Sequence, residues 1–275
     1  MQTAPKVANP DELLAKANKL YYSYTADGLE GFECNVHPDW KQIVRVANKG
    51  VPGSVDDAAV KLLNGVKLTM HAHLVGESTL GWDEPPASGD AASSDATSGD
   101  AASNLVAGRD PSDLVDGMHQ TTEQTLLGFL RFWMPFINGS IVPNSSRGLE
   151  ITQADKGYRI VASKGTSTVT EQFNSKLVLE KFHVVLNGMN VSFVPSYKTT
   201  ETGLLVSGFT SEIQLPGTKT KTKHQPATGQ EMKVGIEYQT VDGFPLPAKL
   251  SMEKVHTGTF DFTFDGCSVN RFPHQ

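Results

Sequence analysis

Long apolar runs are missing from this chain. None reaches the roughly 18 residues that a membrane-spanning helix needs, and the greasiest stretch, 126–137, is interrupted by Arg131. An excess of positive charge is missing too. The formal net charge is −6, which argues against a general nucleic-acid binder, since such proteins neutralise phosphates with surplus Lys and Arg. Lys219, Lys221 and Lys223 do cluster, but lysines alternating with threonines read as a solvated loop or an edge strand. Catalytic signatures are absent as well: no Gly-x-Ser-x-Gly elbow, no phosphate-cradling glycine loop and no His-Glu-x-x-His helix. Asp56 and Asp57 diverge on a helix and read as capping acids, while Asp261 and Asp265 fall on the wet face of a strand. No catalytic group assembles from these, no cofactor is called for, and the balance falls against an enzyme.

Cysteine is scarce, with only 2 in the chain. Cys34 lies in an early alternating run and Cys267 follows the last strand, so the two sit where first and last strands can meet. A bridge there would close most of the chain into one loop, worth about 5 kcal/mol in the chain-entropy account. Two buried free thiols are the alternative. The start, Met1-Gln2-Thr3-Ala4-Pro5, reads as a mature, signal-cleaved terminus with an added initiator Met, as in an exported bacterial protein. That compartment favours the bridge.

What the chain has in quantity is β pattern. Residues 259–265 alternate cleanly: Phe260, Phe262 and Phe264 on one face, Thr259, Asp261, Thr263 and Asp265 on the other. Similar runs recur near 149–152, 158–163, 167–173, 176–186, 189–194, 204–214, 233–241 and 248–255, with Asn187-Gly188 and Asp242-Gly243 as hairpin turns. Before them come a helix opening at Asn9-Pro10-Asp11-Glu12 with a stripe running on to Tyr21 and Tyr24, a strand from Phe32, a helix from about Trp40 to Gly50 and a helix from Ser54 to Gly65. A strand over 67–75 follows, then a long helix from Pro111 to about Met134, where Pro135 is expected to break it. The 85–107 stretch is an Ala/Ser/Gly/Asp repeat with no large apolar residue before Leu105, and reads as a disordered surface insertion in one domain spanning 1–275. The order predicts an α+β fold, helices gathered on one face of a large curved antiparallel sheet of about eleven strands.

Two kinds of site are candidates. His71 and His73 share a strand face at a spacing that suits two ligands of one ion, with Glu77 the nearest third, so a metal-dependent enzyme is one alternative. The other site is apolar. One long helix and three short ones supply few side chains to fill the hollow of so broad a sheet, which leaves a greasy cavity. Its expected lining is Met118, Leu126, Phe129, Phe132 and Trp133 from the helix, and Phe182, Val184, Ile236, Tyr238, Phe260, Phe262 and Phe264 from the sheet. The same faces packed solid would make a non-catalytic structural or interaction protein, the remaining alternative.

The run Val241-Asp242-Gly243-Phe244-Pro245-Leu246-Pro247-Ala248-Lys249-Leu250, the Tyr158-Arg159-Ile160 strand, the Gly203-Leu204 strand start and the closing Phe-x-Phe strand together resemble periplasmic lipoprotein carriers of the LolA/LolB and LppX type. The resemblance covers 148–270, with a helix-then-strand start over 9–36 that is similar too. It implies an unclosed β-barrel with helices as a lid and a cavity for acyl chains. The partners expected are an apolar small molecule, lipid or lipoprotein acyl chain, with peripheral membrane contact compatible; the negative net charge argues against nucleic acid. The location the resemblance implies is the periplasm or outside the cell. The arginine such carriers place in the cavity on an early strand has no counterpart here, and the 85–107 insertion is foreign to them.

Overall fold

The computed structural model of the protein describes residues 5–47, 54–84, 111–139, 141–186, 188–214, 230–254 and 258–272. The N-terminal tract 1–4, the 85–107 stretch, Asn187 and the segment with Lys219, Lys221 and Lys223 lie outside the described residues.

Helix α1 (Pro10–Asn18) opens with proline at its first position and acids in its first turn, where the helix dipole favours them; Glu12 also pairs with Lys16 at 2.7 Å. The helix stops at Asn18 and does not carry the stripe to Tyr24. The tyrosines gain more from tertiary burial than from another helical turn. Tyr21 bridges in parallel to Leu204, and the Tyr24 N–H donates to the Ile137 carbonyl at 2.7 Å. Strand β1 (Leu29–Pro38) starts three residues earlier than the Phe32 expected. In α2 (Trp40–Ala47) the Asp39 side chain caps the first turn, accepting the Gln42 N–H at 3.0 Å. Then come α3 (Ser54–Leu63), β2 (Lys67–His73), β3 (Thr79–Asp83) and α4 (Pro111–Ile137).

Pro135 does not end α4. A proline in a helix removes the bond to the carbonyl four residues back and crowds it. Here only the last turn is affected, Phe136 and Ile137 are 3% and 0% exposed, and the Asn138 N–H still reaches the Met134 carbonyl at 3.0 Å. Burial of those two side chains outweighs the missing hydrogen bond.

Nine strands follow: β4 (Leu149–Ala154), β5 (Gly157–Lys164), β6 (Ser167–Asn174), β7 (Leu179–Leu186), β8 (Met189–Thr199), β9 (Leu204–Gln214), β10 (Gln230–Val241), β11 (Phe244–Lys254) and β12 (Gly258–Arg271). They form a sequential antiparallel meander. The β10–β11 turn at Asp242-Gly243 has φ of 49° and 90°, the pair of positive values that a tight two-residue hairpin of right-handed twist requires. With β1, β2 and β3 the meander makes one sheet of 12 strands in the order β3-β2-β1-β12-β11-β10-β9-β8-β7-β6-β5-β4. Its ends, β3 and β4, do not meet, so the sheet is unclosed. The strand beyond the expected number is β3, a short Thr-Leu-Gly-Trp-Asp run with a glycine at its centre.

The two parts of the sheet join only where β1 pairs with β12, and a Cys34–Cys267 disulfide lies in that seam. Glu33 faces Ser268 and Asn35 faces Asp265, so Gly266 and Cys267 together oppose Cys34 alone. This is a β-bulge. Gly266 takes it with φ of +55°, and a Cβ there would come within 2.5 Å of the Asn35 side-chain nitrogen. The bulge is what brings Cys267 level with Cys34, whose side chain is fully buried.

The disulfide closes a loop of 233 residues, and replacing both cysteines by serine is expected to lower stability by up to about 5 kcal/mol. Urea unfolding of the variant against the oxidised parent reads this directly. An unchanged midpoint would mean that strand pairing alone fixes the seam.

Candidate functional site

Residues opposite each other in an antiparallel ladder share a face, so the register defines the inner surface row by row. One row runs Ile151, Ile160, Glu171, Phe182, Phe193, Ser211, Met232 across seven strands. A second runs Phe209, Val234, Met252, Phe260, and shorter ones pair Ile236 with Leu250 and Phe262, and Val36 with Phe264. The other face carries cross-strand polar pairs: Lys249 to Asp261 at 3.2 Å, His71 to Glu33 at 3.0 Å and His37 to Asp265 at 3.1 Å. Hydrogen bonds from His37 and Asn35 hold the Asp265 carboxyl below the usual carboxylate range.

Helix α4 lies on the apolar face. Trp133, fully buried, donates its indole N–H to the Tyr238 hydroxyl at 3.0 Å, and that hydroxyl donates to the Val206 carbonyl at 2.6 Å. Its ring also meets Phe129, Tyr24 and Phe32 with centroids 5.6 to 6.1 Å apart. Leu126 and Phe129 are buried with it, as is Met118 a few turns earlier. This end of the face is filled by the protein itself. On the helix flank Phe132 sits 3.8 Å from Phe193 and 4.3 Å from Phe209, centroid to centroid, and Phe193 meets Phe182 at 6.1 Å. The aromatic lining residues therefore fall into three groups. Phe129, Trp133 and Tyr238 belong to one ring cluster and Phe132 and Phe182 to another, held together by Phe193; among the described residues these two are joined by α4, which carries Phe129, Phe132 and Trp133. Phe260, Phe262 and Phe264 pair instead with Met252, Leu250 and Val36 on the neighbouring strands, in the part of the sheet where α2 packs. Among the described residues no ring pair connects them to α4.

Beyond Phe193 the cover thins. The β7–β8 hairpin stacks three apolar rungs on the inner face, Phe182 with Phe193, Val184 with Val191 and Leu186 with Met189. The first two rungs and Met189 are half-buried, and Leu186 is 42% exposed.

Next to the Phe182 rung stands a residue that the sequence pattern was not read for. Glu171 is on the apolar row between Ile160 and Phe182, is 6% exposed, and its Oε2 has no hydrogen-bond partner. Burial pushes its pKa from 4.5 up to about 8. Tyr21 is close enough to feel its charge; burial raises that hydroxyl to about 12, and it accepts the Leu179 N–H at 2.7 Å. Tyr197 packs edge-on against Tyr21 at 5.7 Å, and its own hydroxyl is buried without a partner. The available signal was the alternation of 167–173, which puts Glu171 in phase with Val169 and Phe173.

The histidine pair is divided between two settings. His71 is taken up by Glu33 on the outer face, while His73 borders a cleft of about 420 Å³ between the β2–β3 turn and α4, with Glu77, Glu123 and Arg131 around it. Among the described residues no group of three or more His, Cys, Asp or Glu side chains converges as a metal site would require. Comparison with known protein families, with curated proteins and with solved structures finds no match for this chain.

The proton held by Glu171 makes stability pH-dependent. Its folded pKa of about 8 lies above the ordinary 4.5. Between those values the native state keeps a proton that the unfolded chain gives up, so stability falls as pH rises, by up to about 1.4 kcal/mol per unit, and levels off above the folded pKa. Glu171→Gln is expected to flatten this slope and raise the urea midpoint at pH 8 more than at pH 5. Parallel profiles for parent and variant would mean that the carboxyl is solvated.

Proposed function

We propose that the protein is an exported, non-catalytic carrier that holds an acyl chain or similar apolar ligand on the inner face of its sheet, beside α4. The observation that carries this reading is the β7–β8 strip. Three successive apolar rungs lie on the face where α4 sets Phe132 against Phe193 and Phe209, yet stay only half-covered. An antiparallel sheet of 12 strands has reason to curl rather than stay flat, and a curled inner face would wrap such a chain. Each methylene removed from water contributes about 0.8 kcal/mol, so a chain lying along the strip needs no charged contact to bind. The likeness of 148–270 to lipoprotein carriers of the LolA/LolB and LppX type fits the same reading, and the Cys34–Cys267 bridge fits an oxidising compartment such as the periplasm or the cell exterior.

A second reading, an interaction protein with a solid interior, draws on the aromatic packing around Trp133. The two readings differ in what purified protein carries and binds. As a carrier it yields bound lipid on solvent extraction or native mass spectrometry, and it lights up an apolar fluorescent probe such as N-phenyl-1-naphthylamine. Val184→Asp combined with Val191→Asp is expected to weaken probe binding at least about tenfold while circular dichroism stays native. Probe binding that survives both charges would remove the strip from the site, and absence of any bound or bindable hydrophobe would leave the solid interior.

A further inference from the structure

We propose that Glu171 and Tyr197 form the polar end of this strip and take an uncharged, hydrogen-bonding head group, so that the ligand is a neutral amphiphile: a fatty alcohol, fatty amide or monoacylglycerol. The inference rests on the carrier reading and names the ligand class for that same site.

Three observations support it. The first is position. Glu171 is the continuation of the Phe182–Phe193 rung, directly across the ladder from Phe182, so the acid flanks the last of the three rungs, with Ile160 beyond it on the same row. From Leu186 to Phe182 the strand spans roughly 14 Å, the length of a medium alkyl chain, and a chain laid along it delivers its head to Glu171. The second is unmet hydrogen bonding. A polar atom buried without a partner is destabilising by about 1–3 kcal/mol, and here two groups that both lie near Tyr21 have this deficit: the Glu171 Oε2 and the Tyr197 hydroxyl. Tyr21 donates to Leu177 and accepts from Leu179; its hydroxyl is near enough to Tyr197 to act on it electrostatically, but no hydrogen bond of ordinary geometry joins the two, and none reaches the Glu171 Oε2. The third is charge. Among the described residues no ion pair includes Glu171, so nothing there would neutralise a fatty-acid carboxylate, and an ionised carboxyl in this row would repel one. A protonated carboxyl offers one donor and one acceptor, and a tyrosine hydroxyl the same. A hydroxyl or amide head group satisfies both at once and brings no charge out of water. An ammonium head would have to be desolvated along with an ionised Glu171, an exchange that roughly breaks even when buried.

The test is displacement of N-phenyl-1-naphthylamine from the delipidated full-length protein at pH 7 by ligands with one chain length and different heads: dodecanol, dodecanamide, monododecanoylglycerol, dodecanoate and dodecylamine. The neutral ligands are expected to compete about tenfold better than dodecanoate and dodecylamine, the worth of one well-made buried hydrogen bond. Glu171→Leu and Tyr197→Phe should each cut that preference to less than about threefold while the probe still binds, and Glu171→Gln, which keeps a donor and an acceptor, should retain it. Best competition by dodecanoate or dodecylamine overturns the assignment, as does a preference untouched in Tyr197→Phe and in a folded Glu171→Leu. If the parent does not bind the probe at all, the carrier reading fails and takes this inference with it. Binding of the probe without head-group preference removes this inference alone.

Discussion

The seam between β1 and β12 is the constraint on which the rest of the molecule depends. Strands β4 to β12 fold back on their immediate neighbours, so each of those pairings closes a short loop and costs little chain entropy. The β1–β12 pairing is different. It brings together segments 233 residues apart and thereby attaches β2, β3, α2 and α3 to the meander. Without it the sheet is a nine-strand ribbon and a three-strand one, tied through α4, which packs on α3, β3 and β9, and through the Tyr21–Leu204 and Lys6–Thr152 bridges. The disulfide and the Gly266 bulge belong to this one interface. The bulge supplies the extra residue that puts Cys267 opposite Cys34, and the covalent bond relieves the ladder of the entropy that so long a closure would otherwise demand.

Once the seam is made, α4 divides the inner face unevenly. Its last turns are apolar on nearly every side because they are enclosed: Trp133 is surrounded by Tyr24, Phe32, Phe129 and Tyr238, and Phe136 and Ile137 close the end. Phe132, on the flank, reaches Phe193 and Phe209 and goes no further along the sheet. The face continues past that point through two more rungs of β7 and β8. Among the described residues the ring contacts of α4 stop at Phe193 and Phe209, and the next two rungs are half-buried except for the exposed Leu186.

Much of this was legible in the sequence for a simple reason: one face of each strand is buried, so period two survives in the residues. The inner phase of β10 (Val234, Ile236) and of β12 (Phe262, Phe264) reads directly, and so do the strand limits set by the Asp242-Gly243 turn. Strand β3 escaped because five residues around Gly81 give alternation too few positions to register. The end of α4 escaped because a proline rule built for helix interiors overstates the effect in a last turn anchored by Ile137. The cysteine pairing could be framed as a meeting of first and last strands but not decided, since it depends on a bulge that no local pattern announces. Glu171 escaped by a habit of reading: an acid in a strand is assigned to water by default, even when its phase is that of Val169 and Phe173.

That default is what gives Glu171 its weight. A carboxyl on an apolar row, protonated near neutral pH by burial and short of one hydrogen bond, is less stable there than a leucine filling the same space would be. Among the described residues Glu171 joins no ion pair, and its Oε2 bridges no strands. Tyr197 adds a second unmet hydroxyl near the same tyrosine neighbour, although a phenylalanine would pack the same ring against Tyr21 without that loss. Two such penalties, both near Tyr21 and beside a half-covered apolar strip, have a common physical remedy: a visiting group that supplies both a donor and an acceptor and carries no charge of its own.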